Sequence, residues 1–130
     1  MCTLAVAWRV DRRWPIVVAA NRDERLGRAA EGWALRDGPD GLRHAAPRDL
    51  VAGGTWMGLS ARGVFAGLTN YHAPLPWYPD PGRRSRGEIV AAALAHPTAA
   101  ASRAALAALG AERWNPFHLL VADGASAFLW

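Results

Sequence analysis

The amino-acid sequence predicts an α+β domain on three observations: paired apolar runs near the start, two helical stretches late in the chain, and another apolar pair after them. At 130 residues the chain fits one domain, and that length buries roughly two-thirds of the unfolded surface without staples. A composition of 52% hydrophobic and 20% charged residues is that of a folded chain rather than a disordered one.

The first run, Thr3 to Trp8, is bounded by Asp11-Arg12-Arg13, and the second spans residues 15–20 with Ile16-Val17-Val18 at its centre. Two such runs across a short polar connection predict a hairpin with both strands well buried. Hairpin geometry brings the end of the second strand beside the start of the first, so Cys2 is expected next to Asn21, Arg22 and Asp23. Residues 25–50 give no clear element, only the turn-rich Asp37-Gly38-Pro39-Asp40-Gly41. Strands follow at 55–60 and 64–69 around Ala61-Arg62-Gly63, and Gly53-Gly54 ahead of them reads as a bulge or an anion nest. The proline-dense stretch 73–82 requires an irregular loop.

Ser85-Arg86-Gly87-Glu88 has the form of a capping box, with Ile89, Val90 and Leu94 on the helical face that follows. A second helix is predicted over 98–109, with Gly110 as its stop. The last two strands, Phe117 to Ala122 and 126–130, flank the turn Asp123-Gly124. Ending on an apolar strand is unusual for a complete domain. The expectation is one domain over 1–130, incomplete at its C-terminal end, or a homodimer that covers that edge.

All 15 basic residues are arginine and the net charge is +4. Arginine without lysine, beside abundant Ala, Gly and Pro, points to a GC-rich bacterial coding genome. The arginines are scattered, and the densest group (Arg83, Arg84, Arg86) is short and has no regular aromatic interleaving, which argues against a nucleic-acid partner. One cysteine rules out an internal disulfide and a cysteine-based zinc cage, and the four histidines have no metal-ligand spacing. No apolar stretch approaches the ~18 residues of a membrane span, and the start has no basic region ahead of its apolar run, so the expected location is the cytoplasm.

Chemistry, if present, centres on Cys2. Removing Met1 would give Cys2 a free α-amine whose reference pKa of ~7.7–8 suits it as a built-in base for the thiol. A nucleophile of this kind also needs a group to orient the amine and donors for an oxyanion. Asp23 is the candidate for the first role and Asn70, at a strand end, for the second. Asn21, Arg22, Trp56 and Arg86 are candidate substrate-binding residues. Each also has a plainer reading: turn chemistry and an ion pair for Asn21 to Glu24, packing for Trp56, and a helix start for Arg86.

Met1-Cys2, Ala19-Ala20-Asn21-Arg22-Asp23-Glu24, Gly53-Gly54-Thr55-Trp56-Met57-Gly58, Leu68-Thr69-Asn70-Tyr71 and Ser85-Arg86-Gly87-Glu88 occur in the order and approximate spacing of the NRDE family, the family of the transport and Golgi organisation type. Asn115 and the run Phe117 to Asp123 resemble its next block, with His118 where Asn is usual. The resemblance covers essentially the whole chain but only about the first half of a typical member. The family in turn is similar to cysteine N-terminal-nucleophile hydrolases of the cholylglycine hydrolase and penicillin V acylase kind. That similarity implies an αββα sandwich with only its N-terminal half present. It also implies an N-terminal Cys2 acting on amide bonds, Asp23 orienting the amine and Asn70 binding the oxyanion, with no cofactor. Those enzymes carry Arg-Asn-x-Asp at the strand end, where this chain has Ala20-Asn21-Arg22-Asp23, so their arginine has no counterpart. The resemblance carries an alternative too: members linked to haem, lipid or acyl-coenzyme A handling imply a non-catalytic binding and trafficking protein. The expected partner is therefore a small acyl or amide substrate, or a haem- or lipid-like ligand.

Overall fold

The computed structural model describes residues 2–38, 41–74 and 76–130. Two sheets and two helices form the α+β domain. β1 (Thr3–Trp8) and β2 (Ile16–Asn21) make a separate antiparallel hairpin in which Thr3 faces Asn21 and Trp8 faces Ile16. The pairing is the one expected. The burial is not: outward positions of both strands are open, and Val17 is half exposed. Only one face of a two-stranded ribbon can meet the rest of the molecule here, so continuous apolar character did not translate into two buried faces.

The second sheet is an antiparallel meander of six strands in sequence order: β3 (Ala30–Asp37), β4 (Arg43–Asp49), β5 (Met57–Ser60), β6 (Phe65–Asn70), β7 (Phe117–Ala122) and β8 (Ala127–Leu129). β3 and β4 occupy the stretch that gave no sequence signal. β3 is an edge strand exposed along nearly its whole length, so no buried face imposes the period-two pattern that marks a strand. The hairpin joining them turns at Asp37 to Gly41, of which Pro39 and Asp40 lie outside the described residues.

α1 (Gly87–Leu94) and α2 (Ala99–Ala107) come between β6 and β7 and cover one face of this sheet. Val64, Ala66, Leu119 and Val121 from the sheet meet Ile89, Val90, Ala93 and Leu94 from α1 in the core. Side chains alternate faces along a strand, so Gly67 turns away from the helices. There it admits Leu4 of β1, whose methyl would lie 3.1 Å from a Cβ at that position. Trp8 fixes the hairpin further by donating from Nε1 to the Asp123 carbonyl at 2.8 Å. The order of layers is helices, six-stranded sheet, hairpin.

The helix starts differ from expectation in one case. Thr98 caps α2 by accepting from Ala101 N–H at 3.1 Å, and Ser102 Oγ ties α2 to α1 by donating to the Ala93 carbonyl at 2.7 Å. The capping box at α1 does not form. Arg86 occupies the cap position in helical conformation with no side-chain cap, and the Glu88 carboxylate pairs with Arg84 instead. α2 ends at Ala107 rather than near Leu109, with Ala108 as its cap, and Gly110 instead accepts from Arg113 N–H in the short 3-10 turn that follows.

Candidate functional site

Hairpin pairing puts Cys2 at the open end of β1, where its Sγ lies 3.7 Å from the Asp23 carbonyl oxygen. A cavity of about 410 Å³ opens here, lined by Cys2, Arg22, Trp56, Asn70 and Arg86 among others. Asn70 arrives as the last residue of β6, and Arg86 as the residue before α1. Five of the seven candidate residues therefore share one cavity although they come from four regions of the chain. Asp23 lines an adjoining hollow with Cys2, Glu24, Asn70 and His72. Asn21 lines another, of about 130 Å³, whose walls also include Cys2, Leu4, Ala20 and Leu68.

The carboxyl of Asp23 is held below its ordinary value, first by a hydrogen bond from the chain's terminal ammonium and then by that group's charge. The sequence reading missed Asp49, the last residue of β4. It accepts from Arg28 Nε at 2.6 Å and from Arg22 at 3.5 Å. Its other oxygen takes the backbone N–H groups of Val51 and Ala52. Burial pushes the Asp49 carboxyl up, but hydrogen bonds from Arg28, Ala52 and Val51 outweigh it and leave the group below its usual range. Arg22 lies between this carboxylate and the Trp56 ring, its guanidinium carbon 4.4 Å from the ring centroid, a cation–π arrangement that fixes a flexible side chain.

Gly53-Gly54 is a bulge rather than an anion nest. Gly53, at φ +76°, donates its N–H to the Asp49 carbonyl while Asp49 N–H donates to the Gly54 carbonyl, so two residues oppose one, and the Val51 and Ala52 N–H groups ahead of them are taken by the Asp49 side chain. Gly54 lets the start of α1 come in close: a Cβ on it would lie 2.9 Å from the Gly87 backbone.

The opposite wall is a strap, residues 79–86, clamped to residues 113–116. Asn115 exchanges two hydrogen bonds with the backbone of Asp80, at 2.9 and 2.8 Å. Arg83 donates to the Trp114 carbonyl at 2.8 Å, and Arg84 N–H to the Arg113 carbonyl at 3.0 Å. Arg86 Nη1 donates to the Pro116 carbonyl at 3.0 Å and to the Tyr78 hydroxyl at 3.3 Å. Arg28, Asp49 and Asp80 line the cavity without a signal in the sequence, while Arg83 and Asn115 stood out only in the densest arginine group and in a family block. Among the described residues no group of His, Cys, Asp and Glu could hold a metal ion, and no helix is long and apolar enough to cross a membrane.

A six-stranded sheet backed by two helices, with a cysteine-tipped hairpin closing an arginine-rich cleft, defines the class of α+β domain. The chain belongs to the Transport and Golgi organisation 2 (TANGO2) family, whose model matches residues 1–129. It is similar to the Bos taurus "Transport and Golgi organization protein 2 homolog", with 35% identity over 111 residues, 83% of this chain and 38% of the relative. The Homo sapiens protein of the same name is 34% identical over 116 residues, 86% of this chain and 40% of the relative. The chain thus spans about two-fifths of the length of these curated relatives.

Proposed function

We propose that the protein is a cysteine N-terminal-nucleophile hydrolase acting on an amide or related acyl bond, with Cys2 as nucleophile once Met1 is removed. The observation that carries the reading is the Cys2 thiol at the mouth of the cleft, 3.7 Å from the Asp23 carbonyl oxygen and sharing the cavity with Arg22, Asn70 and Arg86. In the proposed reaction Sγ bonds to the acyl carbon while the thiol proton passes to the α-amine of Cys2. The C–N bond then breaks, and the leaving amine takes that proton. Water hydrolyses the thioester and restores the thiol. Asp23, which lines a hollow with Cys2, orients the amine. Asn70 supplies an oxyanion donor. Asn21, Arg22, Trp56 and Arg86 hold the substrate. The small hollow beside Cys2, about 130 Å³, favours a short acyl group. The helix–sheet–hairpin layering supports an αββα sandwich.

The rival reading is a non-catalytic protein that binds haem, lipid or acyl-coenzyme A, and it draws on the same arginine-rich cavity. Intact mass gives the first test, since retained Met1 removes the nucleophile's base. In processed protein, Cys2 should react with iodoacetamide faster than free cysteine at neutral pH. Cys2→Ser should abolish turnover of acyl amides while ligand affinity moves little, and Asp23→Asn should slow alkylation without unfolding the chain. Ordinary thiol reactivity together with no amide or thioester hydrolysis would sink the enzyme and leave the binder.

A further inference from the structure

The helices leave part of the six-stranded sheet to be filled. α1 packs on β5 and β6, and α2 on β7 and β8, so beside β3 and β4 the helix side of the sheet is hollow. A cavity of about 420 Å³ lies there, lined by Arg36, His44, Pro47 and Arg48, with Ala91 of α1 across from them. It backs onto the cleft without joining it: Gly54 and Thr55 are the shared wall, and Arg48 lines this cavity where its neighbour Asp49 lines the cleft. Side chains alternate along a strand, so His44, Ala46 and Arg48 point the same way, the side on which Ala46 is fully buried. Arg36 stands directly opposite His44 in the ladder.

His44 is nine-tenths buried, yet among the described residues it makes no hydrogen bond. The sealed polar side-chain atoms that lack a partner belong, among the described residues, to Glu88 and Trp114, so the unpaired ring nitrogens of His44 open on the cavity. An imidazole offers a donor whatever its charge, and enclosing a polar ring without a partner costs stability that no contact here offsets. Arg48 is also without an ion pair among the described residues. Glu31, its opposite in the ladder, gives its carboxylate to Arg36 at 3.0 Å. Arg36 is fixed further by donating from Nε to the Ala46 carbonyl at 3.0 Å. Asp37 is the one carboxylate among the described lining residues, and it is paired with Arg43 at 3.5 Å.

We propose that this cavity is a second ligand site, for a small anion, carboxylate or phosphate, that accepts from the His44 ring and is held by the charge of Arg48 and Arg36. Two guanidiniums against one carboxylate that already has a partner favour a negative ligand. A buried ring and an anchored Arg36 are ordered before the ligand arrives, which lowers the cost of binding. The inference is independent of any chemistry at Cys2.

The test titrates the unsubstituted protein with inorganic phosphate and with acetate, reading the methyl NMR signals of Ala91 and Leu35, which both line the cavity. Sodium chloride at matched ionic strength is the control for screening. At least one of the two anions should give saturable shifts that chloride does not, and which one responds tells phosphate from carboxylate. His44→Phe keeps a planar ring without its donors and should weaken binding about tenfold or more, the effect of one charge-assisted hydrogen bond. Its Tm should hold or rise, because no hydrogen bond is lost, whereas a histidine bonded within the core would lower it. Arg48→Gln, at an exposed position, should also weaken binding and carries the test if His44→Phe does not fold. Arg86→Gln, in the cleft, should leave the shifts intact. No saturable shift with either anion, or one that chloride reproduces, overturns the proposal. So does undiminished binding in a folded His44→Phe protein or in Arg48→Gln, and so does loss of the shifts in Arg86→Gln, which would place the anion in the cleft.

Discussion

Gly54→Ala tests whether the floor of the cleft depends on close backbone approach between the entry to β5 and the start of α1. A Cβ at position 54 would lie 2.9 Å from both Cα and the carbonyl carbon of Gly87. Those are backbone atoms at the first turn of a helix, so no side-chain rotation relieves the contact. Overpacking of this kind costs about 1–3 kcal/mol. Alanine also narrows the unfolded ensemble and returns about 0.4–1 kcal/mol, because the backbone at 54 is not left-handed. The net loss is about 0–2.6 kcal/mol, and at about 3–5 °C per kcal/mol for a domain of this size Tm should fall by up to about 13 °C. Gly27→Ala is the control, since nothing lies within 4 Å of a Cβ there, and it should leave Tm unchanged or raise it. Gly54 and Gly87 both line the cavity, so the shift should also weaken ligand binding through the displaced Arg86. Thermal unfolding of the two variants side by side decides the matter. A Gly54→Ala protein as stable as the Gly27→Ala control would refute the packing argument.

Thr98→Ala removes the cap of α2 and should cost about 1 kcal/mol in urea unfolding, with Thr98→Ser recovering most of it. Trp8→Phe keeps the ring but drops the bond to the Asp123 carbonyl, and a loss of about 1 kcal/mol is expected; no change would mean that this bond does not help hold the hairpin to the sheet. Burial raises the Asp123 carboxyl, but N–H donors from Ala99, Ala125 and Ser126 outweigh it and leave it below its ordinary value, as Arg28 and the backbone do for Asp49. Stability from both groups is complete above the unfolded carboxyl range and is lost as pH falls through that range and then through the lowered folded values. Denaturation midpoints measured down to acid pH should therefore fall, and Asp123→Asn should flatten the slope.

How much of the fold was legible depended on whether a strand had a buried face. β5, β6 and β7 were readable because burial on the helix side leaves a dense apolar run, as in Val64, Phe65 and Ala66. β1 and β2 were readable too, although their runs suggested more burial than a two-stranded ribbon has. β3 was not readable: Trp33 and Leu35 are exposed on an edge, and Gly32 and Arg36 interrupt any alternation. β4 was masked by Pro47, Arg48 and His44 within seven residues. The helix boundaries failed for local reasons. Ser85 could have capped α1, but Gly87 is pressed against Gly54 and Thr55, which sets the entry of the chain, and Arg84 competes for the Glu88 carboxylate.

For the site, the residues with local signals were found and their supports were not. Cys2, Asn21, Arg22 and Asp23 follow from one hairpin, and hairpin register is a short-range property. Asp49 acts over a distance no pattern encodes: it reaches Arg28 and Arg22 across 21 and 27 residues. Its presence changes what Arg22 can do. A guanidinium stacked on Trp56 and leaning on a carboxylate already bonded to Arg28 is oriented without being neutralised. Arg86 is oriented by other means, two neutral acceptors in place of a carboxylate, and reaches the same condition. One arginine on the hairpin side and one at the helix side, each held in place without a carboxylate of its own, put positive charge on both walls of the cleft. A cluster of arginines paired one-to-one with carboxylates would be no more than a surface network, and the sequence, which shows only the number of each, cannot distinguish the two.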